Sequence, residues 1–257
     1  MSSLWRLLVL VLLCVVSLQV YFIARIALMA VLAPQSTTFQ RSEAWRLLVE
    51  KQRIEWSQTW VDDDRLSAHL KRAVIASEDA GFVEHTGVEW DALEQAWEKN
   101  QRAEAAAERR NAQIQKPPPD QATRPAAPAR RPVEPKVVGG STISQQLAKN
   151  LFLSGERTVL RKAQEFILTM TLEALLPKRR ILEIYLNSVE WGEGVFGAQA
   201  AARHYFRTDA ARLDAWQAAR LAVMLPAPKR FERNPGSAYL ASRAATIQAR
   251  MGSVRLP

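Results

Sequence analysis

Gly139-Gly140-Ser141-Thr142-Ile143-Ser144-Gln145-Gln146-Leu147-Ala148-Lys149-Asn150 reads as a loop turning into a helix. Thr142 and Gln145 stand at capping-box spacing, so each side chain can satisfy a backbone donor that a helix start leaves free. Leu147, Leu151 and Phe152 follow as an apolar face. From there on, helix signals dominate. A longer helix is expected from near Thr158 to about Leu176. Pro177 ends it and fits the first turn of the next, which carries Ile181, Leu182, Ile184, Tyr185 and Leu186. Gly192, Gly194 and Gly197 mark a turn before a helix over 198–206, and another helix covers about 213–224, ahead of Pro226 and Pro228. Strand-like segments are few. The fold class is mainly α.

Upstream, Leu66 and Leu70 with Ala68, Ala73, Val74 and Ser77 outline a first helical face, with Asp62 to Asp64 as caps and Gly81 as breaker. A second candidate, 90 to about 110, becomes polar after Trp97. Residues 116–136 then hold seven prolines, at 117, 118, 119, 125, 128, 132 and 135, among Ala and Arg. Proline blocks regular hydrogen bonding and there is little apolar surface to bury, so a mobile Pro/Ala/Arg-rich insertion is expected at about 111–138. It serves as a linker or as a substrate-side flap.

Residues 7–24 form an uncharged run of 18, flanked by Arg6 and Arg25, and apolar character resumes over 26–33. As a helix the run spans about 27 Å, and continuing through Arg25 reaches the roughly 30 Å of a hydrocarbon core. Arg25 can snorkel to the headgroups, near Tyr21 and Phe22. The expected layout is a short cytoplasmic tail at 1–6, one transmembrane anchor at 7–32, a membrane-proximal region at 33–65 and a main body at 66–257. A cleaved signal peptide competes, but the run is long for one and no small-residue cleavage site is clear before Gln35. A buried soluble helix is the third reading. Arg6 and the terminal amine favour an inside N-terminus, although Arg25 and the basic body blur the count.

The only cysteine, Cys14, lies in the proposed anchor, so no intrachain disulfide forms. Thirty-five basic residues against 26 acidic give a net charge of +9. No nucleic-acid module pattern accompanies that charge, and a basic body tethered to a bilayer suits anionic headgroups or a phosphorylated lipid.

Four segments carry candidate chemistry. Glu78-Asp79-Ala80-Gly81-Phe82-Val83-Glu84-His85-Thr86-Gly87 puts two carboxylates at the end of an apolar helix, where like charges repel and burial costs solvation. Exposed acids closing a helix are the bland alternative, and His85 reads first as a structural hydrogen bonder. Three histidines without ligand spacing speak against zinc. The opening stretch supplies glycines, hydroxyls and amides at a helix N-terminus, which suits phosphate or sugar recognition as well as plain capping. It lacks the Gly-Lys-Ser/Thr ending of a nucleotide P-loop. In Arg161-Lys162-Ala163-Gln164-Glu165, spacings of four and three allow a surface salt-bridge network without any catalysis. In Lys178-Arg179-Arg180-Ile181-Leu182-Glu183-Ile184-Tyr185-Leu186-Asn187, amphipathic packing explains most of the pattern.

Taken in order, these segments resemble the peptidoglycan glycosyltransferase family, most closely its stand-alone monofunctional members, over about 66–251. Glu78-Asp79 with Phe82, His85 and Gly87 matches the first family motif, 139–150 the second, Arg161-Lys162 with Glu165 the third, and 181–187 the fourth. The segment Trp191-Gly192-Glu193-Gly194-Val195-Phe196-Gly197, with Ala200-Ala201 and Tyr205-Phe206, extends the likeness.

The resemblance implies a lysozyme-like, mainly α glycosyltransferase domain with a jaw region near the membrane. It implies polymerisation of lipid II into β-1,4-linked glycan, with inversion and release of undecaprenyl pyrophosphate, outside the bacterial inner membrane on its periplasmic side. It assigns Glu78 as general base, Asp79 as its support and Glu165 as a second essential carboxylate. Lys149, Arg161 and Lys162 match donor-pyrophosphate or architectural positions, and Thr142, Gln145, Gln146 and Asn150 match cleft positions. Phe82 and His85 fall among the supporting residues. It leaves room for a divalent cation, Mg2+ or Mn2+, on Glu165, and implies no organic cofactor. Lipid II, the growing lipid-linked glycan, the membrane, and wall-synthesis or division proteins are the partners it suggests. No transpeptidase motif accompanies it. A lytic transglycosylase, and a non-catalytic membrane scaffold, are the rival readings.

Overall fold

In the computed structural model, residues 3–115, 140–156 and 158–257 are described. The proline-rich stretch from 116, with Gly139 of the second motif, lies outside them. The described residues divide into two units, 1–88 with 142–257, and 89–141. The second is represented by one helix, α4 (Trp90–Gln115), five residues longer than the sequence suggests.

In the larger unit, α1 (Ser3–Leu28) exposes apolar side chains around most of its surface and carries Arg25 in its last turn. It is long and apolar enough to cross a membrane. Its one amide is not left bare, because Gln19 exchanges hydrogen bonds of 3.0 and 3.2 Å with Gln164. Ile26 and Met29 are buried against the body, and Phe22 meets Phe152 edge-on.

α2 (Thr38–Lys51) follows, opened by a Thr37/Gln40 capping box. The sequence reading did not identify this helix. Its apolar residues do not make a helical stripe, and only Gln40 and Leu47 are buried. Next come β1 (Ser57–Gln58) and α3 (Ala68–Glu78). The cap of α3 is Ser67, not Asp62 to Asp64; Asp63–Arg65 is a separate 3-10 turn. Leu66, Leu70, Ala73, Val74 and Ile75 are buried, whereas Ala68 is exposed and Ser77 half-buried. The helix ends at Glu78, before Gly81, because Asp79 adopts a non-helical conformation (φ −165°, ψ 74°).

α5 (Ile143–Phe152), α6 (Val159–Leu175) and α7 (Lys178–Ser188) form the centre. α5 opens with the expected Thr142/Gln145 box, and Thr158 caps α6. Pro177 is the residue before α7, not part of its first turn. Every residue from Ile181 to Ser188 is buried, polar ones included, while Arg179 in the first turn stays exposed. The buried polar residues are satisfied internally. Asn187 accepts from Val61 N and donates to Val61 O, both at 2.8 Å. Glu183 accepts from Arg180 at 2.7 Å and from Asp63 N.

A small sheet, ordered β1-β3-β2, was not foreseen as a structural unit. β2 (Glu190–Gly192) runs antiparallel to β3 (Val195–Phe196), and β1 runs parallel to β3. Gly194 (φ +72°) lets Glu55 approach: a Cβ there would lie 2.0 Å from the Glu55 carbonyl oxygen. α8 (Ala198–Phe206), α9 (Ala215–Met224), α10 (Pro228–Glu232) and α11 (Ala238–Arg250) complete the unit, with α3 packed on α9 and α11.

Candidate active site

The end of α3 delivers the carboxylate pair to two different environments. Asp79 is buried and accepts from the Ile143 backbone N–H at 2.9 Å, one of the free donors at the start of α5. Its other oxygen meets His85 Nε2 at 2.8 Å. His85 Nδ1 in turn accepts from Gly87 N at 3.1 Å. A ring nitrogen that accepts carries no proton, so the imidazole is the Nε2–H tautomer and donates to Asp79. Thr142 adds a 2.6 Å bond from its hydroxyl to the Gly87 carbonyl. Asp79, His85, Gly87 and Thr142 thus form a brace that holds the α3 terminus against α5.

Glu78 is only half-buried. Gln146 Nε2 donates to it at 3.0 Å, and Ser77 at 3.2 Å. The Gln146 carbonyl accepts from the Tyr185 hydroxyl at 2.9 Å. A phenol donating to that oxygen sets which way the amide faces, so Tyr185 aims the Gln146 N–H at Glu78. Burial raises the Glu78 pKa above its ordinary value; the Gln146 and Ser77 bonds oppose the rise, and Asp79 adds to it. Tyr185 is fully buried, and its pKa is held well above the usual phenol value by that burial, with Glu78 and Asp79 contributing.

Gln146 and Tyr185 also line a cleft of about 410 Å³ with Lys149, Asn150, Arg161, Glu190 and Pro228 among its other walls. Lys149 keeps an exposed side, yet crowding by the cleft walls lowers its pKa; Glu165 opposes that, and the Arg161 and Lys162 charges reinforce it. Glu165 is buried, 3% exposed, so the third motif is not a surface network. Arg161 Nη1 donates to one of its oxygens at 2.8 Å and Lys162 Nζ to the other. Three cations therefore gather around one buried acid, with Arg161 and Lys149 on the cleft.

The sequence candidates divide by what they touch. Gln146, Lys149, Asn150 and Arg161 line the cleft. Thr142 and Gln145 are consumed by the α5 cap and do not line it. Phe82 is fully buried, with Lys178 Nζ 4.5 Å from its ring centre.

A transglycosylase family model matches residues 46–109 and 125–252. The chain belongs to the transglycosylase family. Among similar proteins, a biosynthetic peptidoglycan transglycosylase of Burkholderia thailandensis is 50% identical over 239 residues, covering 93% of this chain and 82% of the relative. A protein of the same name from Paraburkholderia phytofirmans is 48% identical over 240 residues, covering 93% and 87%. Another from Burkholderia pseudomallei is 50% identical over 239 residues, covering 93% and 82%. The described helices accord with the mainly α, lysozyme-like domain of a transglycosylase.

Within this transglycosylase, Tyr185 and Glu190 are two of the cleft residues that the sequence analysis does not name as site members. Tyr185 was read as packing in an apolar run, and only its contact with Gln146 gives it a role. Glu190 follows α7 without any helical periodicity to place it. A lone acid ahead of a Gly-rich turn was its only signal.

Proposed function

We propose that the chain polymerises lipid II into peptidoglycan strands, with Glu78 as general base. The observation that carries this reading is a half-buried acid with a raised pKa, aimed by a Tyr185–Gln146 relay beside a cleft whose other wall is cationic. In the reaction, the 4-hydroxyl of the acceptor GlcNAc attacks the anomeric carbon of the donor MurNAc. The new C1–O4 bond forms as the C1–O bond to undecaprenyl pyrophosphate breaks, inverting that carbon. Glu78 takes the hydroxyl proton, and its raised pKa makes it a better base near neutral pH.

The pyrophosphate leaves as an anion, so positive charge can replace a proton-donating acid. Lys149 and Arg161 on the cleft, with Lys162 behind them, supply it. Glu165 fixes the two cations at its carboxylate. Both its oxygens are already engaged by Arg161 and Lys162, and a divalent cation at that point would meet positive neighbours. The donor set does not suit Mg2+ or Mn2+, and no step is assigned to one.

α1 would hold the body at the inner membrane on the periplasmic side, where both lipid-linked substrates diffuse in two dimensions. α6 runs beside α1 and exposes Phe166, Ile167 and Met170, a surface suited to the bilayer interface. The test is purified protein with labelled lipid II: the reading expects long glycan and released undecaprenyl pyrophosphate. Consumption of isolated glycan strands alone would mark a lytic enzyme. Partner binding without turnover in reconstituted membranes would mark a scaffold.

A further inference from the structure

Among the described residues, two buried side-chain polar atoms lack a hydrogen-bond partner, Arg161 Nε and Glu190 Oε1. Both residues line the same cleft. An unmade hydrogen bond in a buried group is costly, and such groups call for a specific reason. One donor and one acceptor on separate elements of a single cavity point to a polar ligand there. Arg161 already belongs to the cationic wall.

Glu190 does not. It opens β2, and its side chain is 6% exposed. Lys229 Nζ stands 3.5 Å from Oε1 as an ion pair without hydrogen-bond geometry, and it hydrogen-bonds Glu43. Arg46, the other nearby cation, is committed to Glu43, Glu50 and Glu193. Burial pushes the Glu190 pKa up to about 7, with Lys229 opposing and Glu43 adding.

We propose that Glu190 is a substrate-recognition residue whose Oε1 accepts a hydrogen bond from a hydroxyl or amide N–H of the lipid-linked sugar. The inference rests on the lipid II reading. Where Glu190 is ionised, above pH 7, phosphate oxygens offer it no donor and are repelled by its carboxylate, so there Glu190 selects sugar and rejects pyrophosphate. Lys149 and Arg161 do the opposite. The cleft therefore has a direction, with pyrophosphate toward α5 and α6 and sugar toward β2 and α10.

The experiment measures lipid II binding and turnover for wild type, Glu190→Gln and Glu190→Leu, with melting temperatures and with inhibition by undecaprenyl pyrophosphate, which carries no sugar. Leucine should weaken lipid II binding and raise KM about tenfold, the usual scale for a hydrogen bond to a charged group. Glutamine keeps an acceptor and should restore most of that loss. Inhibition by the sugar-free pyrophosphate should be unchanged in both, and neither variant should melt lower than wild type. Unchanged lipid II binding and KM in the leucine variant would overturn the proposal, as would a parallel loss of pyrophosphate inhibition, which signals a damaged cleft. Wild type that binds lipid II without polymerising it would refute the polymerase reading while the binding arm still decides Glu190. Failure of wild type to bind lipid II would overturn both.

Discussion

Glu78 and Asp79 are neighbours in sequence that fold into opposite roles. One oxygen of Asp79 holds a helix start and the other a histidine, whereas Glu78 keeps contact with the cleft through Gln146. Asp79→Ala should remove acceptors from the buried Ile143 N–H and from His85, costing about 1–3 kcal/mol in urea denaturation. Because only ionised Glu78 can accept a proton and its folded pKa is raised, the acidic limb of the rate profile should lie above the ordinary carboxylate range. Glu190 gives a separate effect on stability. Its folded pKa of about 7 exceeds the ordinary 4.5 of a glutamate, so the folded state retains a proton that the unfolded chain releases between those values. Its contribution to wild-type stability is complete below pH 4.5 and is lost as pH rises to about 7. Glu190→Gln should therefore be more stable than wild type at pH 8, by at most about 3 kcal/mol, with the gap closing below pH 4.5; melting curves across pH read this directly. The carboxylate pair was legible in the sequence because charge at the end of an apolar helix is unusual. Which acid braces and which one works was not, since that depends on contacts 64 and 68 residues away.

At the scale of elements, local patterns were reliable where they act locally. The α5 capping box and the ends of α6 and α8 lie where spacing and Pro or Gly signals put them. In α7, burial from Ile181 to Ser188 takes in polar residues too, and spacing alone does not reveal that Glu183 and Asn187 are internal struts. Asn187→Ala should leave both Val61 backbone groups unpartnered and destabilise the fold by about 2 kcal/mol or more. Gly194→Ala should be worse than Gly87→Ala in a thermal melt. Gly194 faces the Glu55 backbone at 2.0 Å, whereas Gly87 (φ +91°) faces the side chains of Glu173 and Thr169 at 2.9 Å. The short sheet was illegible because two-residue strands carry no periodicity, and its β1–β3 pairing joins segments far apart in the chain.

Across the whole molecule, anchor and body meet through Gln19–Gln164 and Phe22–Phe152. An apolar helix is plain in any sequence, but its packing against α6 depends on residues more than 100 positions away. The protein should stay with membranes through carbonate extraction and retain its N-terminus on sequencing; release or cleavage would contradict the anchor. Lys149 and Gln146 from α5, Arg161 from α6, Tyr185 from α7 and Glu190 from β2 line one cleft, and Glu78 at the end of α3 reaches it through Gln146. That convergence is the basis for assigning polymerisation to this site.

The most direct test compares wild type with Glu78→Gln in one assay of labelled lipid II, with circular dichroism confirming that both are folded. Wild type should build long glycan, and the variant should lose at least about a hundredfold in rate, the scale of a general base. Equal turnover by a folded Glu78→Gln protein would contradict the account.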